Sequence, residues 1–316
     1  MLSSNINYTL LIREYIKALT LNVDHTKLKK EINLIFDGGA FNGGFGMGVG
    51  LYIKCLEQQG IVKINKVSGC SIGSVVALWY ICGCNEKIIE YFEEITVLFK
   101  EKMSLIEYHK TIEKFIRYLF PTGDLSLLKN KLYINFYDTK KHKQKIVSRF
   151  KNVEHLIDCI LQSCHIPYII NGKARYNDRY IDGIVPYIFT DHDNDNDKNR
   201  ESLFIKLITL NKCTRAMVVK CESNIHYRLL IGVADANEFF TTGSSDMCSY
   251  VSQWSYLDML QIRNREIMIL FIISIIEWVV VLKSFIPASI KNSLLYNGCI
   301  NSLRSFCCDV LRRTIV

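Results

Sequence analysis

The sequence GCSIG, residues Gly69 to Gly73, lies between two apolar-leaning segments. The preceding residues, about Lys63 to Ser68, predict a buried strand, and Ser74 to Ile81 predict a helix. Gly-x-Ser-x-Gly between a strand and a helix is typical of the sharp turn that presents a nucleophilic serine, with the helix N-terminus facing developing negative charge. Ser71 is therefore a candidate nucleophile. The same five residues are also compatible with a turn serine that only caps the helix beginning at Ile72.

A glycine-rich turn precedes this unit. The strand Glu31 to Phe36 runs into DGGAFNGG, Asp37 to Gly44, and a helix is predicted over about Gly44 to Gln59. The backbone N–H groups of such a turn suit either a phosphate or an oxyanion. The turn lacks the Lys-Ser/Thr ending of a P-loop, and its fit to a dinucleotide-binding pattern is imperfect. We interpret it as an oxyanion loop.

Strand, helix, strand, helix in this order predicts a right-handed parallel unit, with both loops at the carboxyl edge of the sheet. Later segments extend the α/β pattern. We predict helices over Glu86 to Lys100, Leu105 to Leu119 and Asn152 to Cys164, a hairpin of Leu132 to Asp138 with a strand near Ile146, a strand pair near Ile169 and Arg175, and a last strand over Leu203 to Leu210. The prediction is a three-layer α/β/α domain with a mostly parallel sheet and extra C-terminal helices.

Composition limits the function classes. The 316 residues are 49% hydrophobic, which predicts a globular core, and the net charge of +8 is spread along the chain, which suits membrane phosphates without indicating nucleic acid. The first thirty residues lack the features of a secretion signal, so the 12 cysteines are expected to be reduced and the location cytoplasmic. Cys82-Gly83-Cys84 and Cys307-Cys308 have the wrong spacing for zinc, and the acidic run Asp191 to Asp197 is an incomplete calcium loop that we interpret as solvated.

The most apolar stretch is IMILFIISIIEWVVVL, Ile267 to Leu282. It is shorter than a spanning helix, which needs about 20 residues, and Glu277 opposes insertion at a cost of about 3 kcal/mol. A buried core helix is the favoured interpretation. The flanking Arg263, Arg265 and Lys283 keep an interfacial or anchoring role open. We predict three regions: an N-terminal helical extension (1–30), a catalytic domain (31–210), and a C-terminal helical region (211–316) that associates with membranes in the second interpretation.

Three motifs in order resemble the patatin-like phospholipase family. They are a glycine-rich loop with Gly38, Gly39, Ala40 and Gly43, then GCSIG, then YIDGIVP with Asp182 and Gly183. The hairpin LYINFYD and the helix end QSCHIP are also similar to the family, and the similarity covers about Ile32 to Pro186.

The resemblance implies a lipid acyl hydrolase with a Ser/Asp dyad and neither metal nor cofactor. Ser71 is the implied nucleophile, Asp182 the implied base, and the N–H groups of Gly38, Gly39 and Ala40 form the implied oxyanion hole. The supporting motif glycines are Gly43, Gly69, Gly73 and Gly183. The implied partner is a phospholipid or other lipid ester at a membrane surface. A carboxylate with an ordinary pKa near 4 is a poor base, so we expect Asp182 to be partly desolvated.

The sequence departs from the family pattern at three positions. Ala40 replaces the usual third glycine, which is harmless if its φ is negative. Asn42 replaces a Lys or Arg and removes a positive charge near the site, and Ile184 follows Asp-Gly where a second glycine is common. The alternative function is therefore a catalytically impaired lipid-binding protein that keeps the fold.

Other roles for single residues stay open. A classical Ser-Asp-His triad needs a histidine after Asp182, and only His192 and His226 follow it, so the dyad is favoured. The earlier His155 and His165 are interpreted as structural. Asp182 also fits a turn cap with Gly183. Phe41 and Phe45 border the glycine loop and suit either the core or an acyl-chain groove.

Overall fold

A central sheet organises the protein. The computed structural model describes residues 8–21, 23, 28–102, 105, 107–167, 170–171, 173–189, 200–208, 225–291, 293 and 302. Within these ranges the sheet has seven strands, which are β1 (Glu31–Phe36), β2 (Lys63–Gly69), β3 (Leu132–Asp138), β4 (Lys143–Val147), β5 (Tyr180–Ile181), β6 (Glu201–Ile205) and β7 (Cys248–Tyr250). The prediction of a mixed α/β fold with a mostly parallel central sheet, flanked by helices, is confirmed.

The strand order is β4-β3-β2-β1-β6-β7, and β5 pairs with β3 beside this path. The inner pairs, β1 with β2, β1 with β6, and β2 with β3, are parallel. The pairs of β4 and β5 with β3, and of β7 with β6, are antiparallel. Five of the six residues of β1 are buried, as expected for a strand covered on both faces. The loops after β1 and β2 therefore emerge side by side at one edge.

The helices are α1 (Tyr8–Thr20), α2 (Gly43–Gln58), α3 (Ile72–Ile81), α4 (Lys87–Lys102), α5 (Tyr108–Leu119), α6 (Val153–Ser163), α7 (His226–Thr242), α8 (Tyr256–Phe285) and α9 (Ala288–Lys291). One core cluster contains apolar residues of β1 and β2 together with residues of α2, α3, α6 and α7. Helices α2 and α7 cross closely, since a Cβ on Gly48 would lie 2.1 Å from the carbonyl oxygen of Leu229. This crossing fixes the N-terminal end of α2, which begins at the glycine loop.

Several predicted elements differ in the structure. Arg175 lies outside any strand, because residues 176–180 form a tight turn in which Tyr176 N donates to Tyr180 O at 2.7 Å. The strand in this region is β5, while Ile169 lies outside the described residues. The last predicted strand ends at Ile205, and Leu210 is also outside the described residues. Strand β7 was not predicted because three residues are too few to show a period.

The apolar stretch Ile267 to Leu282 is part of α8, a helix of 30 residues. The prediction of a buried core helix is wrong, because many of its large side chains are exposed, such as Phe271 at 64% and Trp278 at 68%. Ile262 of α8 packs against the cluster of Ile35, Phe189 and Phe204 at the sheet. Among the described residues, no helix combines the length and apolarity needed to cross a membrane. The acidic run Asp191 to Asp197 lies outside the described residues.

Candidate active site

Ser71 sits at the apex of the turn between β2 and α3. Its backbone has φ 52° and ψ −135°, a conformation that costs a non-glycine residue strain energy and is found mainly at functional sites. The backbone is crowded on both sides. A Cβ on Gly73 would lie 2.4 Å from the carbonyl oxygens of Phe36 and Asp37, and one on Gly69 would lie 2.2 Å from the carbonyl oxygen of Gly73. The GCSIG segment therefore has the geometry of a nucleophile elbow.

The Ser71 side chain does not cap α3. No side-chain capping hydrogen bond is present at this helix start, so the interpretation of Ser71 as a simple capping serine is wrong. The turn is held by its backbone instead. Ser71 N donates to Ser163 Oγ at 2.9 Å, and the Ser74 hydroxyl donates to Ser71 O at 2.6 Å. The Ser163 hydroxyl in turn donates to Asn135 O at 2.8 Å.

Sequence reasoning missed the supporting residues Ser163 and Asn135. Ser163 ends α6 and Asn135 lies in the middle of β3. They stand in the segments QSCHIP and LYINFYD, which resemble the family, but the sequence analysis assigned neither side chain a role. The Asn135 amide also donates to Val185 O at 2.5 Å, which fastens the segment that carries Asp182. Gly183 packs against Asn135 so closely that a Cβ would lie 2.4 Å from its carbonyl oxygen. These contacts hold the segments that carry Ser71 and Asp182 at a fixed distance from each other.

Asp182 follows β5, and its carboxyl lies close enough to the Ser71 hydroxyl for that group to lower its pKa. Its backbone N donates to His165 O at 2.9 Å, and its Oδ1 accepts from Ile184 N at 2.9 Å. Burial raises the pKa of the carboxyl to about 6, against the lowering effects of the bonds from Ser71 and Ile184. A higher pKa makes a carboxylate a stronger base. Asp182 therefore closes a turn beside Gly183 and also contacts Ser71.

The glycine loop offers fewer free donors than the sequence suggested. Gly38 N donates to Asp37 Oδ1 at 2.9 Å, so this N–H group is already occupied. The N–H groups of Gly39 and Ala40 make no hydrogen bond to another residue in the described ranges. The loop then turns into α2 through a short 3-10 segment in which Asn42 N donates to Gly39 O at 2.9 Å. Two donors are thus available beside Ser71.

Two residues that stand where the family pattern has glycine adopt a left-handed backbone conformation. Ala40 has φ 48° and Ile184 has φ 61°. The condition under which Ala40 would be harmless, a negative φ, is not met, because the chain reverses at Ala40 as the 3-10 segment begins. A side chain in this region costs about 1–2 kcal/mol. Both residues therefore add strain next to the candidate site.

Substituting Ala40 with glycine is expected to raise the free energy of unfolding by about 1 kcal/mol, because glycine accepts φ 48° without strain. Denaturant unfolding at equilibrium measures the change. Ala77→Gly, inside helix α3, is the control and should lower stability by a similar amount. If both substitutions destabilise the protein equally, the strain assigned to Ala40 is absent.

Two arginines, Arg228, which is buried, and Arg265, which is partly buried, approach the loop from the C-terminal third of the chain. Arg228 of α7 donates from Nη1 to Asn42 Oδ1 at 3.0 Å, while the Asn42 amide donates to Leu207 O at 2.9 Å. Arg265 of α8 binds Asp37 through both terminal nitrogens, at 2.8 and 2.7 Å. The positive charge that Asn42 does not provide is therefore supplied near the loop by other elements.

An apolar pocket opens beside Ser71. Phe41 lines it and contacts the rings of Phe92 and Phe99, with centroids 6.0 and 5.1 Å away. Phe45 instead lies in the core under the Arg228 guanidinium. The other lining residues are Ala40, Ile72, Phe92, Ile95, Leu105, Tyr108, Cys164, Ile166 and Ile170. A separate cavity of about 920 Å³ lies between α8 and the sheet, and neither Ser71 nor Asp182 lines it.

Histidines contribute other contacts. His165 is buried, its Nε2 lies 3.3 Å from Lys173 O, and burial lowers its pKa to about 4. His155 accepts from Lys151 N through Nδ1 at 3.2 Å. His226 begins α7, and His192 lies outside the described residues. Among the described residues, no group of His, Cys, Asp and Glu side chains has the arrangement of a metal site.

Comparison with known proteins adds an independent observation. A search of curated proteins gave no significant match. The family model described as patatin-like phospholipase matches residues 34–185, a range that contains the glycine loop, the elbow and Asp182. The range ends before α7 and α8, so both arginines lie outside it. The mostly parallel sheet and the elbow geometry agree with this match, and residues 34–185 of this chain are similar to the patatin-like phospholipase family.

Proposed function

We propose that this protein is a lipid acyl hydrolase of the phospholipase A type, which cleaves carboxylic ester bonds of phospholipids through an acyl-serine intermediate. The family match supports a lipid acyl hydrolase in general. The observation that carries the finer proposal is that the desolvated carboxyl of Asp182 lies beside the hydroxyl of Ser71, which is held in a strained elbow. A nucleophile in contact with its base is the arrangement that covalent catalysis needs.

In the proposed reaction Asp182 accepts the Ser71 hydroxyl proton as Oγ attacks the ester carbonyl. The tetrahedral oxyanion is bound by the N–H groups of Gly39 and Ala40, and by that of Gly38 when Asp37 releases it. Collapse breaks the ester bond, and the alcohol leaves with the proton held by Asp182. Water then attacks the acyl-serine, gives its proton to Asp182, and the fatty acid leaves as Ser71 regains its proton.

The apolar lining of the pocket beside Ser71 supports an acyl group as the part of the substrate next to the nucleophile. Its lining consists almost entirely of apolar side chains, with Phe41, Ile72 and Leu105 among them. Burial of each methylene of an acyl chain contributes about 0.8 kcal/mol of binding free energy. An apolar pocket that begins at the nucleophile therefore favours lipid esters over small polar esters.

Helix α8 supports action at a lipid surface. Six large apolar side chains are exposed on it at spacings of three and four residues, which places them in one stripe. They are Met268, Phe271, Ile275, Trp278, Leu282 and Phe285. Glu277 lies off this stripe and is paired with Arg175. An exposed apolar stripe of this length indicates an interaction surface, and we propose that it rests on phospholipid.

The double substitution Phe271→Glu with Trp278→Glu is expected to weaken vesicle binding at least about tenfold, because two apolar contacts become charges. Co-sedimentation with vesicles of mixed neutral and anionic phospholipid measures the effect. Leu127→Glu, which changes another exposed apolar residue, serves as the control and should bind normally. Unchanged binding together with loss of a dimer in analytical ultracentrifugation would instead identify the stripe as a self-association surface.

Incubation of the pure protein with phospholipid vesicles tests the proposed function. We expect release of free fatty acid and lysophospholipid in equal amounts, with no diacylglycerol or phosphatidic acid, because only the acyl ester is attacked. The strained Ala40 and the occupied Gly38 N–H group favour a second outcome, in which no ester is cleaved. A protein that binds the vesicles but cleaves no ester would be the catalytically impaired lipid-binding alternative.

A further inference from the structure

We propose that Arg265, on the C-terminal helix α8, is a positioning residue of the active site that clamps Asp37 under the glycine loop and, together with Asp37, sets the charge around Asp182. The proposal rests on the function proposed above. Arg265 lies 228 residues after Asp37 and outside the matched range 34–185. The helix that carries the exposed apolar stripe is then also a part of the catalytic centre.

The contact has the form of a built clamp. Nη1 and Nη2 of Arg265 donate to Oδ2 and Oδ1 of Asp37 at 2.8 and 2.7 Å, a bidentate pair. Nη2 also lies 3.3 Å from Ile184 O, two residues after Asp182. Asp37 is fully buried and the Arg265 side chain is 16% exposed. The guanidinium thus joins the end of β1 to the segment that holds Asp182.

Asp37 connects this clamp to the glycine loop. Its Oδ1 accepts from Gly38 N at 2.9 Å, and its Oδ2 accepts from Leu207 N at 3.4 Å. The loop from Asp37 to Gly44 contains no positive residue, and Asp37 is its only charge. Without Arg265, a buried carboxylate would stand unpaired beside the place where a negative oxyanion forms, which is strongly unfavourable. Arg265 therefore keeps the loop compatible with the charge of the reaction.

The same pair acts on Asp182. The Arg265 charge lowers the pKa of Asp182 and the Asp37 charge raises it, so the two act in opposite directions while both are present. Three other ionisable groups near Asp182, two thiols and a phenol, become negative when they lose a proton. Burial raises their pKa values, so they stay protonated and neutral at the pH of the reaction. They are Cys70 after β2, Tyr108 of α5 and Cys164 after α6. His165, whose backbone oxygen accepts from Asp182 N, is neutral because burial lowers its pKa to about 4.

The experiment is a titration of Asp182 in full-length protein by carboxyl ¹³C NMR, with Asp182→Asn to assign the signal. The compared variants are Arg265→Gln, Arg265→Lys and the double substitution Asp37→Asn with Arg265→Gln. Arg263→Gln, two residues away and with a 69% exposed side chain, is the matched control. The pH profile of fatty-acid release is measured in parallel on each variant, and circular dichroism reports folding at each pH.

Arg265→Gln is expected to raise the Asp182 midpoint by about one pH unit, which lowers the rate below that midpoint about tenfold. The Lys variant and the double variant should return the midpoint close to the wild-type value, because one restores the charge and the other removes both charges. The control should match wild type. If Arg265→Gln does not fold, Asp37→Asn alone replaces it, and its Asp182 midpoint should lie below the wild-type value, because the Arg265 charge then has no opposing carboxylate.

Equal midpoints in all folded variants would overturn the proposal and leave Arg265 with a structural role. A double variant whose midpoint is displaced as far as that of Arg265→Gln would overturn it as well. If wild type releases no fatty acid, the proposed hydrolase function fails. The NMR titration still reports whether Arg265 controls Asp182, so the two failures are distinguishable.

Discussion

Replacing Ser71 with alanine is expected to lower fatty-acid release by about 10⁴-fold or more, because the nucleophile of a covalent mechanism has no substitute in the site. The fold should persist. Alanine and serine have similar steric limits at φ 52°, and the bonds that hold the turn come from the Ser71 backbone. Activity on phospholipid vesicles and the thermal unfolding midpoint, measured on the same preparation, give the two results.

Ser68→Ala is the matched control for this loss. Ser68 is a buried serine of β2 whose hydroxyl donates to Tyr187 O at 2.6 Å, and it makes no contact with Asp182 in the structure. Its loss should lower stability by about 1 kcal/mol and leave most of the activity. Substantial activity in folded Ser71→Ala would show that a different residue attacks the ester.

Asp182→Asn is expected to lower the rate by about 10³ to 10⁴-fold while making the protein more stable at neutral pH. Asparagine keeps the oxygen that accepts from Ile184 N but has no basic carboxylate. It also removes a charge that burial disfavours. A variant that gains stability as it loses activity is typical of a strained or desolvated catalytic group.

The raised pKa of Asp182, about 6 in the folded protein against the usual aspartate value of 3.8, makes both stability and the rate of hydrolysis depend on pH. Between these values the folded state binds the Asp182 proton more strongly than the unfolded state, so the contribution of Asp182 to stability falls as pH rises from about 4 to about 6. Buried His165, with its pKa lowered to about 4, makes a contribution of the opposite sign over this range. The rate rises over the same range, because the base must be ionised, and levels off above it. Asp182→Asn should remove the Asp182 contribution, so that stability rises more steeply with pH in this window than it does in wild type, as measured by denaturant unfolding at several pH values. An unchanged stability curve, or a retained rate with a midpoint near 7, would point to a histidine base.

Much of the candidate site could be predicted from the sequence, because each of its motifs consists of residues that are close together in the chain. The turns at Asp37 to Gly44 and Gly69 to Gly73 each lie between a strand and a helix, and parallel strands bring such turns to one edge. The three motifs predicted the elbow and the approach of Asp182 to Ser71. Desolvation of Asp182 was an expectation from the chemistry, and its pKa direction agrees with it.

Other features depend on tertiary contacts that no local pattern carries. The sequence reasoning noted Arg265 as a charge beside an apolar stretch, while the structure places it on Asp37, 228 residues away. The sign of φ at Ala40 depends on how the loop reverses, and the occupied N–H of Gly38 depends on the orientation of the Asp37 carboxyl. An apolar run also does not reveal which side of a helix is covered, so the exposed side of α8 was missed.

The most direct test of the central claim is covalent labelling of the native protein with a fluorophosphonate, followed by mass spectrometry of its peptides. An activated serine displaces the fluoride and keeps the phosphonyl group, whereas an ordinary turn serine does not react. We predict one adduct, on the peptide that contains Ser71, and its loss in Asp182→Asn. An unlabelled protein, or an adduct confined to another serine, would contradict the assignment of Ser71 as the nucleophile.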